Sequence, residues 1–381
     1  MKDGKRNLKT WLFFGISSLL FIAVIFLIYH LFFSPIKLGF SAGLSGLKSE
    51  LGISGRNGAQ LAVEEINRNG GIRGRKLELV VADDKNDANI ACTVDQRLAE
   101  QGVTIIIGHM VSSVAMDTVK NANEKNLLLI SPTIATDELT QVDDNFVRMI
   151  ASNKVQGYSL AKAVLQETAV RSIAIVYDEN NASFAKIIKG SFETQLQGSG
   201  GNVVATESFK NRNDFKRIVS ALRESEAEGV LLIASAIDAG LFCQQSRKQN
   251  FKLPVFAPMW TMTNDFIQAG GADVEGAYLI SQVDLESETA LYVAFQKAYR
   301  ERYKEIPSFA SILSYDAVMV AAAAIQEAGT TSTESVKDAI LRLGEFSGLQ
   351  ESIKMDSFGD VKNSYYLYRV QNGTFKKVGR L

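Results

Sequence analysis

At 381 residues, 46% apolar and 22% charged, the chain has the make-up of a globular protein large enough for two domains, not of a disordered one. A formal net charge of -1 and a pI near 6.3 exclude a broadly basic surface, so no nucleic-acid partner is expected. No low-complexity block or short repeat is present.

The first 33 residues are a different material. Lys2, Lys5, Arg6 and Lys9 precede an uncharged, mainly apolar run of 23 residues from Trp11 to Phe33. About 20 such residues cross a bilayer as a helix. A secretory signal has an apolar core of only about 7–15 residues and a small-residue cleavage site. The following "HLFFSPIK" offers neither that site nor a cysteine for lipid attachment. The expectation is an uncleaved transmembrane anchor over residues 1–35 in the inner (cytoplasmic) membrane, with a cleaved signal as the alternative. The basic flank holds the N-terminus inside, so residues beyond Ser34 face the periplasm or cell surface.

From Ile36 strand patterns alternate with helix patterns. "KLGFSA" reads as a strand, and "NGAQLAVEEINRNGG" as a helix with Ala59, Ala62, Val63 and Ile66 on one face. "KLELVVAD", a helix through "NIACTVDQRLAEQG", "TIIIG", the helix "VAMDTVKNANEK" and "LLLIS" follow. Such alternation means βαβ units around a parallel sheet. The pattern restarts at "SIAIVYD" and runs through "NVVATESF", "DFKRIVSALRES", "GVLLIAS", "PVFAP" and "GAYLIS". Helices are expected over 290–303 and 309–328, then two strands turning at Asn372-Gly373. That is material for two α/β lobes, with a ligand beyond the carboxyl ends of the strands.

Two of those strand ends carry hydroxyls: Ser112 and Ser113 after the third strand, and Ser131, Thr133, Thr136 and Thr140 after the fourth. Such groups either cap helices or form a polar-ligand site. Cys92 and Cys243, about 150 residues apart, each lie in a helical segment and read as buried apolar residues, not as a bridge.

"GRNGAQLAVEEINRNGGIRGRKLELVVADDKND", "IIIGHMVSS", "ISPTIATDELT", "LPVFAPMWTMTNDFIQAGGADVEGAYLI" and "SYDAVMVAAAAIQEAG" resemble, in order, stretches of the type I periplasmic binding proteins. The leucine/isoleucine/valine-binding branch that serves ABC transporters is the most similar, over about Ile36 to Val378. The resemblance implies a Venus-flytrap of two α/β lobes joined by three crossings, closing on a small solute. Lobe one would be 36–151 plus 285–352, and lobe two 152–284 plus 353–381. It also implies an ABC permease as partner, no enzyme activity, no cofactor and no metal.

By that resemblance Ser112, with Ser113 beside it, matches the serine that holds an amino-acid carboxylate. Thr133 matches the small residue whose backbone touches the ligand, and Phe184 the aromatic that covers it from lobe two. The departures are specific. Ala135 stands where the family has the threonine for the ligand's ammonium, and Met259, beside Trp260, where it has the acidic residue. Ser235 replaces a tyrosine, and Asn86 and Val111 replace the family's bridging cysteines. Thr136 or Asp238 could compensate at a shifted register. Without them, an ammonium closed into the cleft costs several kcal/mol. An apolar or aromatic acid or an amide is then a credible solute, and Trp260 could stack on it or hold a quaternary cation.

Catalysis is not expected. His109 lies three residues before Ser112, with no acidic orienter visible in the sequence. Asp83, Asp84 and Asp87 lack the glycine and glutamate of a calcium loop and read as caps and cleft-edge polarity, and Glu64-Glu65 as a solvated helix face. A transport receptor is therefore the expected function, and a tethered sensor signalling to a separate membrane partner is the alternative.

Overall fold

The computed structural model describes residues 13–19, 21, 34–46 and 49–381. Most of the expected anchor, and the basic residues before it, lie outside the described residues. Residues 13–19 and 21 are helical, with Phe13, Phe14, Ile16, Leu19 and Phe21 exposed.

The first half is a βαβ series: β1 (Ile36–Ala42), α1 (Glu50–Arg68), β2 (Leu77–Asp83), α2 (Ala88–Glu100), β3 (Ile105–Gly108), α3 (Ala115–Lys125), β4 (Leu128–Ser131) and β5 (Phe146–Arg148). These strands form one parallel sheet in the order β2-β1-β3-β4-β5. Helices cover both faces, so β3 and β4 are buried along their whole length, which is why they read as unbroken apolar runs.

The second series is α4 (Asn153–Glu167), β6 (Ser172–Asp178), α5 (Ala182–Gln197), β7 (Asn202–Phe209), α6 (Phe215–Arg223), β8 (Gly229–Ile233), α7 (Ala236–Lys248), β9 (Val255–Ala257), α8 (Asn264–Gly270) and β10 (Tyr278–Ser281). The chain then returns to the first sheet with α9 (Ala290–Tyr303), α10 (Phe309–Ala328) and α11 (Thr333–Leu343), followed by the short pair β11 (Glu345–Ser347) and β12 (Ser352–Lys354). It ends in β13 (Tyr366–Gln371) and β14 (Thr374–Arg380), which extend the second sheet to β14-β13-β10-β9-β8-β6-β7. Asn372 and Gly373, both at positive φ, make the tight turn between them. The expected two-lobed α/β architecture with parallel sheets is present.

Among the described residues one helix, α10, is long and apolar enough to cross a membrane, but its most apolar stretch is 83% buried inside the protein. It packs on α1 so closely that a Cβ at Gly58 would stand 1.9 Å from the Ser311 carbonyl oxygen. Only glycine fits there.

The lobe crossings are tied to each other. Gln282, just after β10, accepts from the Ala151 N–H at 2.9 Å and donates through Nε2 to the Met149 carbonyl at 2.9 Å. Met355 bridges Val361, the Arg148 N–H donates to the Gly359 carbonyl, and Asp360 pairs with Arg148, so residues 355–361 stay against the edge strand β5 of the first sheet.

Candidate functional site

Register places the two hydroxyl patches side by side. Ile107 of β3 lies opposite Ile130 of β4, so the loops leaving both strands emerge together. They are also next to the point where the sheet order reverses, between β1 and β3. The second sheet reverses between β6 and β8, and Phe184 follows β6. Both reversal points face one cleft.

The loops are cross-braced. Thr133 Oγ1 donates to the Met110 carbonyl at 2.6 Å, and Ser131 Oγ donates to the His109 carbonyl at 2.7 Å. Ser112 Oγ accepts from the Ala135 N–H at 3.4 Å. The Asn153 N–H donates to the Ala135 carbonyl at 2.7 Å, so the same loop also receives the start of α4.

Ser112 and Thr133 meet Phe184, Met259 and Trp260 around one cavity, completed by Leu51, Met110, Val111, Ile150, Gln156, Asn181 and Phe309. Phe184 and Trp260 meet edge to face, centroids 5.4 Å apart at 75°. The cavity offers about 20 Å³ to the centre of a water-sized sphere, room for little more than one water. Any larger solute requires the lobes or the aromatic pair to part. Leu51, Val111, Asn181 and Trp260 also border an outer groove of about 360 Å³ at the mouth, and Ser113 lies there, not in the cavity.

Ala135, Thr136 and Ser235 do not line the cavity. Ala135 sits behind Ser112 and acts through its backbone. The Thr136 carbonyl is taken by Arg148 Nη1 at 2.8 Å. Ser235 caps α7 and donates to Asp238, whose carboxylate also pairs with Arg212 at 2.7 Å. Thr136 and Asp238 are not among the residues that line the cavity.

Two sequence expectations near the cleft need correction. His109 does have acidic partners, Asp84 and Asp95, brought from the end of β2 and from α2. The Ser41 hydroxyl also lies 3.2 Å from Nδ1, but Ser41, His109, Asp84 and Asp95 are all fully buried, out of reach of a solute, so this is a structural ion cluster beneath the Ser112 loop. Glu64 and Glu65 are not simply solvated either: Glu64 pairs with Arg302 of α9, and Glu65 accepts from the Tyr315 hydroxyl at 2.8 Å. Of Asp83, Asp84 and Asp87, the last is the helix cap. Asp87 accepts from the Asn89 and Ile90 N–H groups. Asp83 holds Leu44 and Ser45 at the mouth; burial raises its pKa, but the Ser45 hydroxyl and the Leu44 and Lys85 N–H groups lower it further.

Gln156 and Asn181 were not singled out from sequence. Gln156 shares the buried face of α4 with Leu160 and Val164, and a polar residue in such a stripe is the signal that could have found it.

The family model of the periplasmic binding proteins matches residues 35–374. The leucine-, isoleucine-, valine-, threonine-, and alanine-binding protein of Pseudomonas aeruginosa is 24% identical over 337 residues, 88% of this chain and 89% of the relative. The leucine-specific-binding protein of Salmonella typhimurium is 25% identical over 86% of this chain and 88% of its own. Among solved structures, the branched-chain amino acid transporter substrate-binding protein LivJ of Streptococcus pneumoniae, in complex with isoleucine, superposes with a TM-score of 0.85 at 27% identity, covering 91% of this chain and 99% of that one. The chain belongs to the periplasmic binding protein family and is a solute-binding receptor of the ABC-transport type, not an enzyme.

Proposed function

We propose that the cleft captures a small amino acid or related organic solute with an apolar body, and that the closed form delivers it to an ABC permease. The observation that carries this is the shared cavity: Ser112 and Thr133 from lobe one, Phe184, Met259 and Trp260 from lobe two, around a space that parting of the lobes or of the aromatic pair would enlarge. The bound amino acids named for the relatives support the same solute class. The lobes are read as 36–151 plus 285–352 and 152–284 plus 353–381, with residues 355–361 held against lobe one. Trp11–Phe33 is read as the helix that tethers them outside the inner membrane; the exposed Phe13, Phe14, Ile16 and Leu19 support it, because such a row is unfavourable in water.

A thermal-shift panel of branched-chain amino acids and their analogues on the full-length chain tests the reading. Ligand at a hundredfold excess over its dissociation constant stabilises the folded state by about 2.7 kcal/mol. A shift lost in Ser112→Ala and Trp260→Ala is the expected result. No shift with any member of the panel would reject it.

A further inference from the structure

Among the residues that line the cavity none is ionisable; the side chains with polar atoms are Ser112, Thr133, Gln156, Asn181 and Trp260. Gln156 is 1% exposed and Asn181 5% exposed, yet among the described residues Gln156 Oε1 and Asn181 Oδ1 accept no hydrogen bond. Asparagine at a helix N-cap ordinarily turns its oxygen onto the first turn's N–H groups. Asn181 stands at that position of α5 and its side chain makes no cap. Gln156 is held from behind, its Nε2 donating to Asn153 Oδ1 at 3.3 Å, which leaves its oxygen for the cavity. Ser112 is the converse case: its oxygen accepts from Ala135, and its own proton has no acceptor among the described residues.

A buried acceptor without a donor costs free energy that a donor brought from outside can return. The cavity thus presents two free acceptors, Gln156 Oε1 and Asn181 Oδ1, and the Ser112 hydroxyl as donor, with no counter-charge. An ion sealed into such a space keeps its desolvation penalty, whereas a zwitterion or a neutral amide brings donors and an acceptor at zero net charge.

We propose that Gln156 and Asn181 select the solute's head group. Their amide oxygens receive its N–H donors, Ser112 donates to its acceptor, and the solute carries no net charge. This rests on the cleft being the solute site. It also reverses the expectation drawn from Ala135 and Met259: the partners of an ammonium come from α4 and the start of α5, as neutral oxygens.

Titration calorimetry on the full-length chain at about pH 6, where an α-amino group is protonated, with four probes of similar shape decides it. Leucine is a zwitterion, 4-methylpentanamide is neutral, 4-methylpentanoate is an anion and leucinamide is a cation. The first two should bind at least about tenfold tighter than either ion. Gln156→Leu and Asn181→Leu should each weaken leucine roughly 10- to 100-fold. Gln156→Glu, which adds a counter-charge, should move the preference toward leucinamide, a change that a merely structural role would not produce. The assignment is overturned if 4-methylpentanoate binds tightest, if all four bind alike, or if a folded Gln156→Glu protein keeps the parent order. If no probe binds the parent chain, the solute reading of the cleft falls, and the head-group assignment with it.

Discussion

His109 Nδ1 lies 2.7 Å from Asp84 Oδ2, and its Nε2 lies 3.2 Å from Asp95 Oδ2, with all three side chains fully buried. Burial alone would lower the imidazole pKa. The Asp95 charge and the hydrogen bonds to both carboxylates outweigh it and raise the pKa to about 10. The folded pKa thus exceeds the unfolded value of about 6.5. The stabilisation is complete below about pH 6.5 and is lost as pH rises toward 10. Urea midpoints of the parent at pH 6, 8 and 9.5, each set against His109→Gln, measure this. The difference should be about 3–5 kcal/mol at pH 6 and shrink at the highest pH. A constant difference would refute the charged imidazolium.

Asp316 also favours low pH, but for the opposite reason: its charged form is the one the fold disfavours. It is buried on α10 and its carboxylate accepts from the Leu349 N–H at 3.0 Å. Burial raises its pKa to about 7, more than that bond lowers it. A raised carboxyl pKa means that the folded state holds the proton more tightly. Its contribution is most favourable below about pH 4 and is lost as pH rises through 7. Asp316→Asn keeps an acceptor for Leu349 and removes the charge. Its melting temperature should match the parent near pH 4 and exceed it at pH 8; no gain at pH 8 counts against the argument.

Arg148 is 1% exposed, with Nε 2.7 Å from Asp360 Oδ1 and Nη2 donating to Thr140 Oγ1 at 2.8 Å. The other Asp360 oxygen accepts from the Gln141 N–H at 2.8 Å. Asp360→Ala leaves a buried guanidinium unpaired and should cost about 3–5 kcal/mol in equilibrium denaturation. A loss under about 1 kcal/mol would mean that water reaches Arg148.

These sites show where sequence reading reaches its limit. Strand runs such as Ile105–Ile107 and the Asn372-Gly373 turn are local signals, and both sheets follow from them. Ser112, Thr133, Phe184, Met259 and Trp260 were reachable through resemblance, and the structure gathers them around one cavity. The partners of His109 were not, because Asp84 and Asp95 stand 25 and 14 residues away. Asp95 did leave a trace, as a carboxylate on the same buried face of α2 as Ala91 and Leu98. Ser235 and Thr136 lie outside that cavity, Ser235 as the cap of α7 and Thr136 with its carbonyl on Arg148.

Cys92 and Cys243 are both free thiols, as expected, but Cys92 is only half-buried where the sequence predicts burial. Cys243 is buried, and burial with the Asp273 charge raises its pKa to about 12, so it should resist alkylation. Intact mass after iodoacetamide should show at most one adduct on the native protein and two after unreduced denaturation. Two rapid adducts on the native protein would contradict the buried position.

Trp260 is the sole tryptophan outside the N-terminal apolar run, so its emission reports on the cleft alone once Trp11 is replaced by phenylalanine. It is 8% exposed and meets the edge of Phe184, which is 5% exposed, across the cavity. Phe184→Ala removes a buried ring and should cost about 3–5 kcal/mol of stability, part of it as an unfilled void. A ligand large enough to fill that void recovers some of the loss, because transfer out of water scales with the apolar area covered. In the Phe184→Ala protein, phenylalanine should therefore gain on leucine, by thermal shift and by the Trp260 emission change together. The parent should prefer leucine. If the order of the two amino acids is the same in both proteins, Phe184 does not face the solute, and the closed cavity is not where selection occurs.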